Sequence, residues 1–555
     1  MVGPGQKFWA GGSCRPIDAC GRDDRAVSGE YLPSVRLSEL LAALSLGIDL
    51  GMGHPMEHVL RQSLIALRLA ERLDLGAEDR QVVYYSSLLA WVGCHVDAYE
   101  QAKWFGDDLA LKHDVRFVDE GRPLELVGFV LRHLGAGRSA VERGKLAVGM
   151  FGEGRRMIDD IEDNHWRTVD AFMDRLGLDE TIRGSVAQTF ERWDGKGDPE
   201  GIKGDELLLS TRLVNLADVV EVFHRAGGTA AAVAVARQRS GTQFDPALVE
   251  LFCSCAEELF EELELATTWA AVMAADPALD QKLSQDEFDR ALEAVADFVD
   301  LKSPYTLGHS RGVADLAADA AALLGLSAHD STMVRRAALV HDLGRLGVTN
   351  AIWDRAGSLT GPEMERVRMH PYLTERMLAS CPALAPLGAL AVQHHERLDG
   401  SGYPRSLTGE SLSTAGRVLA CADFYSTKIE PRPHRPAVTA EMASALLREE
   451  VRSGRLDGAA GDAVLSAAGH RVRRRREWPA GLTAREVEIL RLVARGMSHK
   501  EIAEQLVIAR KTASNHVEHI YAKIGVTNRA MAALFAVKHG LMSTDDLVGR
   551  GNDLG

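Results

Sequence analysis

The chain of 555 residues contains one pattern twice, and this internal repeat limits the folds that it can adopt. The stretch GHPMEHVLRQSLIALRLAERLDL, which contains His58, matches GHSRGVADLAADAAALLGL, which contains His309. In each stretch the histidine opens a helix whose apolar residues recur at three- and four-residue spacing. Ala90 lies opposite His341 at the same offset of 251 residues. The repeat therefore predicts two helical domains of similar fold.

The repeat resumes further along the chain at an offset of 205 residues, because the first copy carries a longer insert. ERWDGKGDPEGIKG matches ERLDGSGYPRSLTG, and RLVNLADVVEVFHR matches RVLACADFYSTKIE. Matching spacing at so many points indicates a duplicated domain. The aligned positions are His165 with His370, Thr189–Phe190 with His394–His395, and Asp218 with Asp423.

Alanine and leucine fill most apolar positions, whereas aromatic residues make up only 6% of the chain. This composition favours helices packed on helices, so we predict an all-α fold. In this prediction two tandem helical bundles are followed by a four-helix helix-turn-helix domain. The expected divisions are a mobile tail at 1–30, the first copy at 35–270, the second copy at 285–470, a basic linker at 471–479 and the C-terminal domain at 480–545.

The seven cysteines are scattered without zinc-ribbon spacing, which is typical of a protein from a reducing compartment. The sequence shows neither a signal-peptide core nor an apolar stretch of membrane-spanning length, so we expect a cytoplasmic protein without a membrane partner. Residues 1–470 carry a net charge of −21, whereas residues 471–545 carry +7. This asymmetry predicts that only the C-terminal domain contacts nucleic acid.

Seven residues of the second copy have the side chains of a metal site. Imidazole and carboxylate groups together suit transition-metal ions. Seven such ligands are too many for one ion but fit two divalent ions that share a bridging carboxylate, as in two-metal hydrolases. We expect iron or manganese first, with zinc, nickel or magnesium as alternatives. The seven residues are His309, His341, Asp342, His370, His394, His395 and Asp423.

The first copy retains His58, His165 and Asp218 but replaces four of the seven ligand positions. Alanine and phenylalanine side chains cannot bind a metal, and the indole of Trp91, at the position of Asp342, would fill the cavity. We therefore predict that this copy shares the helical fold but is catalytically inactive. Bracing the second copy, binding a ligand and mediating dimerisation all remain open as its role.

The set H…HD…H…HH…D, with HHERLDGSGYP from His394 to Pro404, resembles the HD-GYP domain, a family of helical phosphodiesterases of cyclic di-GMP. The resemblance implies that the seven residues ligate the metal ions and that Gly402, Tyr403 and Pro404 shape the substrate site. It also implies hydrolysis of a 3′,5′-phosphodiester to a linear dinucleotide or to mononucleotides. Asp342 and Arg345 are the predicted catalytic residues, and Arg345 is also predicted to contact the substrate phosphate.

Three positions depart from the pattern of this family. Arg345 replaces a lysine, which keeps the charge but changes its geometry. Tyr305 replaces a glutamate that provides a third metal site in some relatives, so two ions are expected here. Ser426 replaces an aspartate of the family's ADxYDALT motif, which leaves the substrate less certain than the metal. A transcription factor that senses a nucleotide without turnover, or a phosphohydrolase of another nucleotide, remains an alternative.

The C-terminal stretch begins with an arginine run, RVRRRREWP, and continues as LTAREVEILRLVARGMSHKEIAEQLVIARKTASNHVEHIYAKIGV. Thr483 followed by Glu486 forms a capping-box pattern at the start of a helix. Gly496 ends this helix, Ser498 caps the next, and a short turn leads to a third helix at Arg510–Ile524. Helix, tight turn and helix within about 20 residues is the helix-turn-helix layout.

The motifs LTxREVEIL, KEIA and HVxxIYxKIGV closely resemble the LuxR-type DNA-binding domain. The resemblance implies that the Arg510–Ile524 helix enters the major groove of double-stranded DNA and that the protein binds a palindromic site as a homodimer through its last helix. Combined with the second copy, it suggests a phosphodiesterase of a cyclic dinucleotide coupled to a transcriptional regulator. The predicted base contacts are Lys511, Thr512, Asn515 and His516, and the predicted phosphate contacts are Lys500, Arg510, Lys523 and Arg529.

Overall fold

The computed structural model describes residues 34–265, 267–276, 282–469, 479–506 and 508–542, with the side chains of 151–165 and 484 left out. The expected tail at 1–30 and nearly all of the expected basic linker at 471–479 lie outside these residues. Within them every regular element is a helix, and β-structure is confined to isolated bridges. The predicted all-α fold is confirmed.

The first copy is a helical bundle built around α2, which packs against α3, α9 and α10. Its helix α9 is long and apolar enough to cross a membrane by length and composition alone. However, this helix buries Asp218 and Glu221 within the bundle, and Gly227 and Gly228 interrupt its helical backbone. It is therefore best described as a core helix. The helices are α1 Leu37–Gly51, α2 His58–Arg72, α3 Ala77–Leu89, α4 Ala98–Phe105, α5 Asp108–Val115, α6 Pro123–His133, α7 Ala140–Arg175, α8 Glu180–Ala187, α9 Leu209–Gln238, α10 Pro246–Leu265 and α11 Thr268–Ala274.

The second copy repeats this arrangement around α13, which packs against α14, α19 and α21. Ala314, Ala317 and Ala321 are fully buried along α13, and their small side chains allow the neighbouring helices to approach closely. The helices are α12 Gln285–Asp300, α13 His309–Leu323, α14 Ala328–Val340, α15 Asn350–Trp353, α16 Gly361–Arg368, α17 His370–Leu378, α18 Ala385–Ala391, α19 Thr414–Ile429, α20 Ala440–Arg452 and α21 Gly458–Ala468.

The two copies share a buried aspartate that holds the start of the repeated helix. Asp49 accepts a hydrogen bond from the main-chain N–H of Val59 at 3.0 Å, and Asp300 accepts one from that of Ser310 at 2.8 Å. Burial raises the pKa of both carboxyl groups to about 7. The two positions are 251 residues apart, so the three-dimensional repeat follows the offset in the sequence.

Asp108 of the first copy joins the two copies through buried polar contacts. One of its oxygens accepts hydrogen bonds from the Thr349 hydroxyl at 2.6 Å and the Asn350 main-chain N–H at 2.8 Å. The other lies 3.4 Å from the ammonium of Lys302 and 3.6 Å from that of Lys112. The carboxylate is fully buried, so its two lysines depend on it for charge compensation.

The C-terminal domain has the four helices that the sequence predicts. Thr483 and Glu486 form the predicted capping box at the start of its first helix. The second and third helices, joined by a short turn, form the helix-turn-helix unit. The four helices are α22 Ala484–Ala494, α23 His499–Leu506, α24 Arg510–Ile524 and α25 Arg529–Lys538.

Candidate metal centre

The seven predicted ligands converge inside the second copy, although they come from different helices. Two of them are the first residues of α13 and α17, two follow the end of α14, two follow α18, and one lies within α19. Every one is buried except His395, which is slightly exposed. Three sets, each with ligand atoms within 4.8 Å of one another, are His370–His394–His395, His309–His341–Asp423 and His341–Asp342–His394.

Asp342 lies between two groups of imidazoles. Its Oδ2 is 3.4 Å from Nε2 of His309 and 3.2 Å from Nε2 of His341. Its Oδ1 is 3.4 Å from Nε2 of His370 and 3.8 Å from Nε2 of His394. Each carboxylate oxygen thus faces a different pair of imidazoles, so Asp342 could offer one donor atom to each pair.

Asp423 also lies near both groups of imidazoles. Its Oδ1 is 3.4 Å from Nε2 of His309, and its Oδ2 is 3.6 Å from Nδ1 of His395. Two ligands of one ion, each about 2.0–2.2 Å from it, lie roughly 3–3.5 Å apart. The separation between His309 and Asp423 lies within this range, so these two donor atoms are spaced to share an ion, whereas that between His395 and Asp423 is slightly longer.

Three of the imidazoles are each fixed from behind by a main-chain carbonyl of the preceding helix. In His341, His370 and His394, Nδ1 lies 2.7, 2.6 and 2.7 Å from the main-chain carbonyl three residues earlier. Nδ1 must therefore carry the proton, which leaves the Nε2 lone pair directed at the centre. Such hydrogen bonds select the tautomer and the orientation that a metal ligand needs.

The donor atoms of His394 and Asp342 are in the chemical state that metal ions require. Nε2 of His309 and His341 and both carboxylate oxygens of Asp342 are buried and make no hydrogen bond within the described part of the chain. Burial lowers the pKa of His394 to about 3, so this imidazole is neutral. Burial alone would raise the pKa of Asp342, but Arg345 and the neighbouring histidines lower it well below its usual value. Burial alone would lower the pKa of His309, but Glu430, Asp342 and Asp423 outweigh it and raise the pKa well above its usual value, so this imidazole must release a proton when it binds a metal ion.

The predicted substrate residues lie at the edge of this centre. Nη1 of Arg345 is 2.9 Å from Oδ2 of Asp342, and its guanidinium lies over the ring of Trp353 at 4.6 Å. The ring of Tyr403 lies 4.7 Å from that of His395. A side chain at Gly402 would overlap the main chain of the preceding HHER segment, so the loop requires glycine there.

The corresponding pocket of the first copy holds ion pairs among its own side chains. Nε2 of His58 is 3.0 Å from Asp218, and Nδ1 of His58 is 2.5 Å from Glu221. Arg116 contributes a guanidinium that is 3.4 Å from Asp218 and 3.5 Å from the ring centre of Trp91. A protein cation therefore lies against the carboxylate that corresponds to Asp423.

These contacts fix the charges of the first pocket. Burial alone would lower the pKa of His58, but Glu221 and Asp218 outweigh it and raise the pKa to about 10. Burial alone would raise the pKa of Glu221, but His58 outweighs it and lowers the pKa to about 2. Phe190 packs against Trp91 with ring centres 5.6 Å apart. The pocket is thus filled and neutralised, while the side chain of His165 lies outside the described residues.

Comparisons with known proteins agree with this geometry. A family model described as HD domain matches residues 293–460. The chain is 31% identical over 423 residues to the 3′3′-cGAMP-specific phosphodiesterase 3 of Vibrio cholerae serotype O1, an alignment that covers 75% of this chain and 91% of that protein. The chain belongs to the HD-GYP family of metal-dependent cyclic-dinucleotide phosphodiesterases. It is therefore an enzyme of the phosphohydrolase class.

A solved structure supports the same assignment for the tandem architecture. The crystal structure of the cyclic GMP-AMP specific phosphodiesterase V-cGAP3 of Vibrio cholerae has a TM-score of 0.56 and 27% identity, and the match covers 79% of this chain and 98% of that chain. The cyclic di-GMP phosphodiesterase response regulator RpfG of Xanthomonas campestris pv. campestris is 36% identical over 126 residues, which is 22% of this chain and 33% of that protein. The HD-GYP relatives thus differ in the nucleotide that they are named for.

A second family model, described as bacterial regulatory proteins of the luxR family, matches residues 480–536. In this LuxR-type DNA-binding domain the predicted base-contacting residues Lys511, Thr512 and Asn515 are exposed on α24, and His516 is half-buried. Lys500 and Arg510 are exposed as well.

Two of the predicted phosphate contacts are engaged within the domain. Lys523 bonds to the carboxylate of Glu486 at 2.8 Å. Arg529 donates hydrogen bonds to the main-chain carbonyls of Gly496 and Met497 at 2.7 and 3.0 Å. These two side chains therefore hold the helices of the domain together.

Sequence reasoning missed two acidic residues of the HD-GYP centre. Asp300 supports the helix that begins with His309, and its counterpart Asp49 could have been found by extending the repeat towards the N-terminus. Glu430 contacts Nδ1 of His309 but aligns with Arg225 in the first copy, so the repeat gave no signal for it.

Proposed function

We propose that this protein hydrolyses a 3′,5′-phosphodiester bond of a guanine-containing cyclic dinucleotide with two divalent metal ions bound between its seven ligands. The observation that carries the proposal is Asp342, because each of its oxygens faces a different pair of imidazoles. Iron or manganese suits this mixed imidazole and carboxylate set best. His309, His341 and Asp423 would hold one ion, and His370, His394 and His395 the other.

The residues of the centre have separate tasks in this proposal. When bound, the two ions activate water and stabilise the charge that develops on the phosphoryl group. Asp342 holds the two ligand groups in register. Arg345 lies beside it, and its guanidinium is positioned to bind a phosphate oxygen of the substrate in place of the Asp342 ion pair. The ring of Tyr403, which is tilted by 39° against that of His395, offers a surface for a ribose or base at the edge.

We favour 3′3′-cGAMP as the substrate over cyclic di-GMP, which the family motif alone suggests. The alignment with the cGAMP-specific relative spans 423 residues, so it extends from the second copy into the first. Alignments with relatives named for cyclic di-GMP are much shorter, such as the 126 residues shared with RpfG. We therefore expect the protein to prefer the nucleotide for which the relative aligned over both copies is named.

The deciding experiment measures turnover of both nucleotides by purified full-length protein loaded with Mn²⁺ or Fe²⁺. We expect a linear product from 3′3′-cGAMP, slower turnover of cyclic di-GMP, and loss of both activities in His341→Ala. His329→Ala is the matched control, because His329 lies at the opposite end of the same helix α14. Binding of either nucleotide without product by metal-loaded protein would replace the enzyme with a nucleotide sensor, and turnover of neither would point to another nucleotide.

We also propose that the LuxR-type domain binds double-stranded DNA through α24 and that the protein acts in the cytoplasm as a homodimer on a palindromic site. The support is the exposure of Lys511, Thr512 and Asn515 on one side of α24. Arg510→Ala is expected to weaken DNA binding and to reduce the salt dependence of binding by about one unit, because Arg510 is exposed and is a predicted phosphate contact. Asn515→Ala is expected to relax specificity at one base pair at a cost of about 1–3 kcal/mol.

Coupling between the two activities has a physical route in the contacts of α25. Arg167 of α7 donates a hydrogen bond to the carbonyl of Thr527 at 2.9 Å. Val537 packs against Gly308, the residue immediately before the ligand His309. A cavity of about 320 Å³ nearby is lined by residues of α7, α12 and α25. A change in the position of His309 on binding metal or nucleotide would therefore reach the DNA-binding domain through one residue.

A further inference from the structure

His309 is oriented differently from the other imidazoles of the centre. It is the first residue of α13, and its main-chain N–H already donates to the carbonyl of Thr306 at 2.9 Å. Its Nδ1 faces a side-chain carboxylate, and the two oxygens of Glu430 lie 3.0 and 2.8 Å away. A ligand at the start of a helix thus depends on a group from another helix for its orientation.

In the first copy a carboxylate at a different position orients the corresponding histidine. There, Nδ1 of His58 contacts Glu221, which lies three residues after Asp218 on α9. The residue three positions after Asp423 on α19 is Ser426, whose side chain is buried but too short to replace a glutamate. Glu430 lies one helical turn beyond Ser426, at the end of α19.

Glu430 is itself held in place. It is almost completely buried, and its Oε2 is 2.7 Å from Nη2 of Arg432. Arg432 also donates a hydrogen bond to the main-chain carbonyl of Tyr305, in the loop that leads to His309. The carboxylate is therefore fixed between its cation and the imidazole, and it meets the loop that delivers the ligand.

We propose that Glu430 is a positioning residue of the metal centre. Its carboxylate takes the place of the one that position 426 lacks, although it lies one helical turn further along the chain. It accepts a hydrogen bond from Nδ1–H of His309 and so directs the Nε2 lone pair at the ion that His309 would share with His341 and Asp423. The negative charge also makes the imidazole a better donor to the metal. This inference rests on the proposed metal centre.

The test compares Glu430→Ala, Glu430→Gln and the double variant Ser426→Glu/Glu430→Ala with wild type. Metal-free protein is titrated with Mn²⁺ by calorimetry, and folding is followed by circular dichroism. Loss of a group behind a metal ligand typically weakens binding by about 10–100-fold. We expect a loss of this size in Glu430→Ala, a smaller one in Glu430→Gln, which keeps an acceptor without the charge, and recovery in the double variant.

Glu221→Gln is the matched control, because it changes the corresponding carboxylate–histidine contact in the first copy, which lacks the ligand set. The Mn²⁺ affinity of this variant should equal that of wild type. The inference is overturned if folded Glu430→Gln and Glu430→Ala bind Mn²⁺ as tightly as wild type. It is also overturned if the double variant remains as weak as Glu430→Ala. Should wild type itself bind no Mn²⁺, the proposed metal centre fails and this inference with it.

Discussion

The two copies place nearly the same backbone around two chemically different pockets. In the second copy Nε2 of His309 and His341 points at ionised carboxylates without making a hydrogen bond in the described residues. In the first copy the same helix begins with His58, whose two ring nitrogens are both taken by carboxylates. One pocket keeps its lone pairs for external cations, whereas the other satisfies them internally.

The difference shows how a metal site becomes a structural core without loss of the fold. Arg116 brings a positive charge to Asp218, and the ring of Trp91 supports its guanidinium. Removing metal ligands alone would leave a buried carboxylate uncompensated, at a cost of several kcal/mol. In the first copy Arg116 and protonated His58 supply the positive charge, so the pocket needs no external cation.

The largest expected effect comes from removing the carboxylate of the second pocket at the position where the first copy has Trp91. Asp342→Asn keeps the shape but removes the charge that both groups share. Because even groups behind a metal ligand change metal affinity by up to about 100-fold, we expect loss of metal and a fall in nucleotide turnover greater than about 100-fold. Elemental analysis and the turnover assay check this result, and normal metal content in the folded variant would contradict it.

The next effect tests whether the first copy braces the second. Asp108→Asn removes the carboxylate that compensates Lys302 and joins Thr349 and Asn350. Breaking a buried ion pair by removing one partner typically destabilises a protein by about 3–5 kcal/mol. We expect a decrease of this order in the free energy of unfolding, measured by urea denaturation of metal-free protein. A loss under about 1 kcal/mol, the scale of an exposed ion pair, would mean that the copies do not depend on this contact.

The pH dependence of stability separates the two pockets further. The folded pKa of His58 is about 10, above its value of 6.5 in the unfolded chain. Its stabilising contribution is therefore complete below pH 6.5 and is lost as the pH rises towards 10. We expect metal-free wild type to lose a few kcal/mol more than His58→Gln over this interval, measured as free energy of unfolding. Equal losses in the two proteins would exclude a charged His58.

The smallest expected effect concerns the residue before each repeated histidine. Glu57 and Gly308 have φ angles of 77° and 76°, so this left-handed backbone accepts a side chain in the first copy. Glycine is needed at 308 because a Cβ there would overlap Val537 of α25. Gly308→Ala should cost roughly 1–2 kcal/mol for the backbone and also loosen α25.

Hydrogen exchange of α25 measures this loosening, and Val537→Ala in the same chain should restore protection by making room for the new methyl group. Protection unchanged in Gly308→Ala would show that α25 does not rest on the second copy. The matched change, Glu57→Ala in the first copy, should leave α25 unaffected, since the contact to Val537 is made by Gly308.

The fold was largely predictable, because the repeat indicates the two similar domains and the spacing of apolar residues indicates their helices. The matched offsets located α2 and α13, and the capping box located the start of α22. What the sequence could not show was how the copies join, since the contact of Asp108 with Lys302 depends on residues 194 positions apart with no shared motif.

The candidate site was predictable in its ligands but not in its supports. Each of the seven residues sits in a motif, and the structure brings all seven together. In the first copy the guanidinium of Arg116 lies against Asp218, where the second copy would bind an ion. Arg116 belongs to the insert between the two matched stretches, so an alignment of the two copies does not include it. Glu430 was equally hidden, because its role follows from the absence of a carboxylate at Ser426 and from a helix end that brings it to His309.

The carboxylate of Asp342 has a consequence for how such a centre fills. With one oxygen facing each group of imidazoles, a cation bound to one group in the proposed centre would also fix the rotamer that faces the other group. Occupation of the two sites would then be coupled through this one carboxylate. Under the proposed function, turnover of the nucleotide would depend on the supply of the metal ion.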